Sequence, residues 1–125
     1  KACPLFVPLV EEGWTKDSIT REVAGRYLGE LLEKDIDTLI MGCTHYPLLR
    51  SLLREIVGEK VTLVNPAYET AQALKRMLSD MNLENQAPGG EPYRFYTSDA
   101  AEKFDAFAAS ILPCRVPSAE QIHIE

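Results

Sequence analysis

Long apolar runs are missing from this 125-residue chain. None approaches the ~20 residues that a membrane-crossing helix needs, and no signal-peptide pattern opens the chain. Basic clusters are missing as well. Lys and Arg number 13 against 19 Asp and Glu, for a net charge of -6, and an acidic balance argues against binding a phosphate backbone. Cysteine is scarce: three residues, an odd number at irregular spacing, do not make a disulfide framework. A reducing, cytoplasmic setting is the simplest expectation. Internal repeats and low-complexity segments are absent too. An initiator methionine is also lacking, and Lys1 leads almost directly into the apolar run Leu5 to Val10. A domain that begins in mid-core reads as a fragment.

What is present is ordinary for a globular protein. At 46% hydrophobic and 26% charged residues, the chain is long enough for one compact domain. Leu5 to Val10 reads as a strand that ends at Glu11. Residues 16–34 carry Ile19, Val23, Ala24, Tyr27, Leu28, Leu31 and Leu32 at helical spacing, with Asp17 or Ser18 as N-cap. A buried strand is expected over 38–41, a helix over 47–57 and a strand over 61–64. Asn65-Pro66 opens a further helix reaching about Met81, with proline where the first turn tolerates it. Residues 82–92 hold Pro88, Gly89, Gly90 and Pro92 and read as an exposed connection. Tyr93 to Thr97 is a strand. Asp99 caps a helix with Phe104, Phe107, Ala108, Ile111 and Leu112 on one face, and a short strand falls within 119–124. Such alternation predicts an α/β fold of βα units on a parallel sheet.

The most informative stretch runs from Leu39 to Leu49. A thiol, a hydroxyl and an imidazole follow one another at Cys43, Thr44 and His45, after a strand and Gly42 and before Pro47. The carboxyl end of a parallel strand is where open α/β folds bind ligands. Backbone N–H groups at the following helix start favour negative charge, which would lower the Cys43 pKa. A thiol tuned toward neutral pKa can take or give a proton, and Cys43 suits that role. The bland alternative is a small buried hydrophobe. Thr44 suits a substrate carboxylate, or caps locally. His45 suits an acid, a base or a group that tunes Cys43, or is simply a hydrogen-bonded structural residue. Glu11 would orient His45 or meet an ammonium group and Glu12 reads as solvated, while an exposed loop charge is the plain alternative for both. Cys43 and His45 have no second Cys/His pair nearby, so a metal site is not expected. Cys3 and Cys114 have no reactive context. Trp14 anchors the loop after Glu11 or lines an entrance.

Gly42-Cys-Thr-His-Tyr-Pro-Leu-Leu49 resembles the second-cysteine motif of bacterial glutamate racemases, within the aspartate/glutamate racemase family. Cys3-Pro-Leu-Phe-Val-Pro-Leu-Val-Glu-Glu-Gly13 is similar to the segment that the family carries upstream of that cysteine. Glu69-Thr-Ala71 and Phe95-Tyr-Thr-Ser98 follow in the family's order. The resemblance covers only the C-terminal half of such an enzyme. It implies a two-domain, flavodoxin-like α/β fold that is incomplete here. Residues 1–90 would be most of the domain carrying Cys43, and residues 91–125 would return to the other domain.

The resemblance also implies a cofactor-independent interconversion of L- and D-glutamate that supplies peptidoglycan synthesis, with Cys43, His45 and Glu11 catalytic and Thr44 on the substrate. The second cysteine and its companion aspartate, in Ala-Cys-Asn-Thr and Asp-Ser-Gly type motifs, do not occur in this chain. They would come from the missing N-terminal half. Asn65-Pro66-Ala67-Tyr68 departs from the family, as does the lack of glycine between Ser98 and Asp99. Two other functions fit the residues: racemisation of aspartate or another small acid, and a non-catalytic binding module. Neither nucleic acid nor membrane is an expected partner. Apolar surface left without its missing half would favour association, so a homo-oligomer is allowed.

Overall fold

The computed structural model describes residues 1–86, 93–112 and 116–124. Pro88, Gly89, Gly90, Pro92 and Cys114 lie outside the described residues. The chain forms two compact units, Lys1–Glu84 and Asn85–Glu125.

The first unit opens with a helix, α1 (Phe6–Glu11), where the sequence suggests a strand. Phe6 and Val10 are buried one helical turn apart, so the apolar run follows a helical period. Pro8 stands in the first turn, where its missing N–H leaves no helical bond unmade. Glu11 therefore ends a helix. Helix α2 (Ser18–Leu32) starts on Asp17, whose carboxylate accepts the Ile19 N–H at 2.8 Å. Its buried side is Thr20, Ala24 and Leu28, rotated from the expected stripe, and Ile19 lies outside. Thr20 can be buried because its hydroxyl donates to the Trp14 carbonyl at 2.7 Å. That bond fixes the 12–17 loop through the Trp14 backbone, while the indole stays exposed.

Two short strands, β1 (Thr38–Ile40) and β2 (Thr62–Val64), pair in parallel, with Thr38 opposite Thr62 and Ile40 opposite Val64. The Met41 N–H continues the ladder to the Val64 carbonyl at 3.0 Å. Helix α3 (Arg50–Val57) connects them and buries Leu52, Leu53 and Val57. β1 is not the buried strand expected: Leu39 is half-buried, Ile40 is 63% exposed, and Met41, just beyond it, lies inside. Successive side chains of a strand point to opposite faces, and the face that carries Ile40 is uncovered.

Helix α4 (Pro66–Asp80) follows β2. Asn65 caps it, its side-chain oxygen accepting from the Ala67 and Tyr68 N–H groups. None of its residues is buried, and Tyr68, Leu74 and Met77 are exposed large apolar groups.

In the second unit, β3 (Tyr96–Thr97) and β4 (Glu120–Gln121) pair in parallel across α5 (Ala101–Ile111), one βαβ unit. Ala100, not Asp99, is the N-cap residue, and it makes no side-chain bond. Asp99 instead accepts the Ala100 N–H, and Thr97 accepts the Asp99 N–H, so a side-chain turn replaces the expected cap. Of the expected α5 stripe only Ala108 is fully buried; Ile111 and Leu112 are exposed. Phe104 meets Phe95 at 5.9 Å between ring centroids.

Asp105 ties α5 to the approach to β4. Its carboxylate accepts from the Ser118 hydroxyl at 2.6 Å and the Ala119 N–H at 2.9 Å. The Ser118 bond, then the Ala119 bond, hold the carboxyl below its ordinary range. A lowered folded-state value means that the tie contributes fully above the ordinary carboxylate pKa and is lost as pH falls through the lowered one. The Ala119 amide resonance should hold steady above about pH 5 and change below about pH 4. In Asp105→Asn that acid step should vanish. An Asn variant that titrates like the wild type would show that another group governs the step.

Candidate active site at the end of the first strand

The turn after β1 is built on the backbone. The Gly42 N–H returns to the Ile40 carbonyl at 3.0 Å, and the Tyr46 N–H bonds the Cys43 carbonyl at 3.1 Å. A 3-10 turn, Tyr46–Leu49, with Pro47 in its first positions, leads into α3. The α-helix proper starts at Arg50, so Cys43 does not stand at its N-terminus, contrary to the sequence expectation; a helix dipole acts over little more than one turn. Gly42 has no heavy atom within 4 Å of where a Cβ would stand. That side of the turn is open to a ligand. Cys43 is free and half-buried beside it, and Thr44 is exposed.

Glu11, Thr44 and His45 come together although Glu11 belongs to a different element. The His45 Nε2 lies 3.4 Å from a Glu11 carboxylate oxygen. The His45 Nδ1 lies 3.2 Å from the Thr44 hydroxyl. Both ring nitrogens are thus engaged. With Nε2–H facing the carboxylate, Nδ1 is the acceptor in the neutral ring and takes the Thr44 O–H; in the protonated ring Nδ1–H donates to the hydroxyl instead. The group can hold or release a proton without turning. Glu12 is exposed, and its backbone N–H donates to the Pro8 carbonyl at 3.0 Å.

The Glu11 side chain is 59% exposed. An exposed pair of this kind contributes about 0–1 kcal/mol, too little to set the position of α1. Aromatic packing does more. Phe6 meets Tyr46 edge-on at 5.2 Å and Tyr27 of α2 edge-on at 5.5 Å. Each such pair is worth about 0.5–1.5 kcal/mol beyond its buried area. The Tyr46 hydroxyl donates to the Cys3 carbonyl at 3.3 Å, and the Tyr27 hydroxyl accepts the Leu5 N–H at 3.4 Å. Burial pushes the Tyr46 phenol up, with the nearby Cys3 thiol adding to it.

Cys3 is buried against this cluster, and burial pushes its thiol up despite the opposing N-terminal amine and Lys1. Sequence reasoning missed Phe6 and Tyr46 as parts of the site. The helical spacing of Phe6 and Val10 was the available signal. Among the described residues no cluster of three or more His, Cys, Asp or Glu side chains is placed to hold a metal ion, and no helix is long and apolar enough to cross a membrane.

No protein-family profile matches the chain. Individual proteins do. It is 42% identical over 125 residues to the glutamate racemase of Thermoanaerobacter sp. (strain X514), covering all of this chain and 47% of that one. The chain is similar to one half of a glutamate racemase. Glutamate racemase from Thermus thermophilus, solved in complex with β-chloro-D-alanine, superimposes with a TM-score of 0.84 at 38% identity, over 99% of this chain and 47% of that one. The Francisella tularensis subsp. tularensis SCHU S4 glutamate racemase, solved with D-glutamate, gives 0.84 at 32% identity, over 96% and 45%. The α/β fold is therefore shared with part of the racemases, and the chain spans about half the length of the curated relatives it matches.

Proposed function

We propose that this chain is the C-terminal part of a glutamate racemase and that Cys43 is one of two thiol acid/base groups working without a cofactor. The contact of Glu11 with His45, beside a half-buried thiol at the carboxyl end of β1, carries the proposal. The relatives' activity and the D-glutamate bound in one of them support glutamate as the small-molecule substrate.

The Cys43 thiolate takes the α-proton from one face of the amino acid and becomes a thiol, leaving a carbanion at Cα. A second thiol, from the rest of the polypeptide, returns a proton to the other face. In the reverse direction the two thiols exchange roles. Thr44 meets the substrate carboxylate, and His45, held by Glu11, tunes the proton affinity of Cys43. In this proposal residues 1–90 are most of the domain carrying Cys43, and residues 91–125 return to the other domain. The uncovered side chains of α4 then lie under the remainder of the polypeptide. Its product, D-glutamate, would serve peptidoglycan synthesis in the cytoplasm.

Turnover in deuterated water tests the two-thiol scheme. Early in the reaction the product enantiomer should carry deuterium at Cα while the recovered substrate keeps its proton. Equal early incorporation into both enantiomers would mean that one base serves both faces, and the proposal would fail.

A further inference from the structure

We infer that Tyr46 is a positioning residue that holds Glu11 against His45, an inference that rests on the function proposed above. Helix α1 is attached to the 42–49 segment at both of its ends. At its last residue Glu11 meets His45. At its first, the Tyr46 ring packs edge-on against Phe6, and the Tyr46 hydroxyl shares the Cys3 carbonyl with the Phe6 N–H that starts the helix. His45 and Tyr46 are neighbours in the chain, so the two attachments hang from one short piece of backbone.

The Glu11 end is exposed and weak, so the Tyr46 end sets where α1 lies. Beneath it is a cavity of about 90 Å³ lined by Cys3, Phe6, Leu28, Met41, Tyr46 and Leu53. The Tyr46 ring forms part of its wall. Loss of the ring would let α1 tilt about its contact with α2 and carry Glu11 away from the imidazole.

The test compares Tyr46→Leu, Tyr46→Phe, Glu11→Gln and the double variant Tyr46→Leu/Glu11→Gln in the full-length polypeptide. Tyr46→Leu should lower kcat roughly tenfold to a hundredfold, the scale of a misplacement of about 1 Å, with KM changed by less than about twofold. Tyr46→Phe keeps the ring and should restore most of the rate. The double variant should lose no more than Glu11→Gln alone, because Tyr46 acts through Glu11. Nitrogen NMR of the imidazole gives a readout that does not depend on turnover. The His45 Nε2 signal in Tyr46→Leu should move to where Glu11→Gln places it.

Additive losses, an unmoved Nε2 signal, or a Tyr46→Phe as impaired as Tyr46→Leu would each overturn the inference. If Tyr46→Leu does not fold, Phe6→Leu removes the same edge contact from the α1 side and carries the same expectations. A wild-type protein that racemises nothing would count against the proposed function, while the imidazole comparison would still judge Tyr46.

Discussion

Cys43→Ser in the full-length polypeptide is expected to slow racemisation roughly 10²–10⁴-fold, the range carried by a positioned acid or base. The loss should appear from either enantiomer. In the proposed scheme one thiol serves as base in one direction and as acid in the other, so removing it interrupts both. Serine keeps the size of the side chain, and Cys43 is only half-buried, so the fold should tolerate the change. What serine loses is acidity: a thiol ionises near about pH 8.5, within reach of neutral water, and an aliphatic hydroxyl does not. His45→Asn should cost less, and unequally between the two directions, if His45 only assists Cys43 as proposed and is not itself one of the two bases. Circular dichroism of L- and of D-glutamate, followed to equilibrium, measures all four rates. A Cys43→Ser enzyme that racemised at near wild-type rates would make Cys43 structural.

Most helices were legible because their signals are local. Asp17 and Asn65 announce α2 and α4, and both side chains accept the N–H bonds that a cap should accept. Pro66 and Pro47 open helical turns. The failure at Leu5 to Val10 has a physical cause. A short apolar run fits a buried strand or a helix equally well, and only the partners of Phe6 and Val10 decide between them. The exposure of Ile40 has a related cause. Strand burial depends on what covers each face, which residues 38–41 do not encode. Cys43, Thr44 and His45 could be read together because they are consecutive. The contact of Glu11 with His45 is one of several roles that the sequence allows Glu11, and the fold decides it by joining positions far apart in the chain. The part played by Tyr46 rests on an edge-on ring contact that no spacing rule supplies.

The 125 residues on their own are expected to leave the optical activity of either glutamate enantiomer unchanged. Inversion needs a proton donor on the face of Cα opposite Cys43. Cys3 does not supply one. It is buried under Phe6 and Tyr46, its thiol is pushed up by that burial, and its sulfur faces the Lys1 carbonyl. Cys114 carries no motif for the role in its sequence, Leu112-Pro-Cys-Arg115. The surface adds a second expectation for the same sample. Leu74, Met77, Met81 and Leu83 are all more than half exposed on α4 and just beyond it, as is Ile40 on β1. Exposed apolar side chains of that kind favour association, so sizing experiments should find dimers or larger species, and Leu74→Glu with Met77→Glu should reduce this. In the proposed scheme, joining the chain to the rest of its polypeptide should restore racemisation, and Cys114→Ser in that longer protein should leave the rate within about twofold, since Cys114 is not one of the two acid/base thiols. Decay of the optical signal by the 125 residues alone, abolished by Cys43→Ser, would mean that both proton-transfer groups lie within them, and the division of the site between two halves would be wrong.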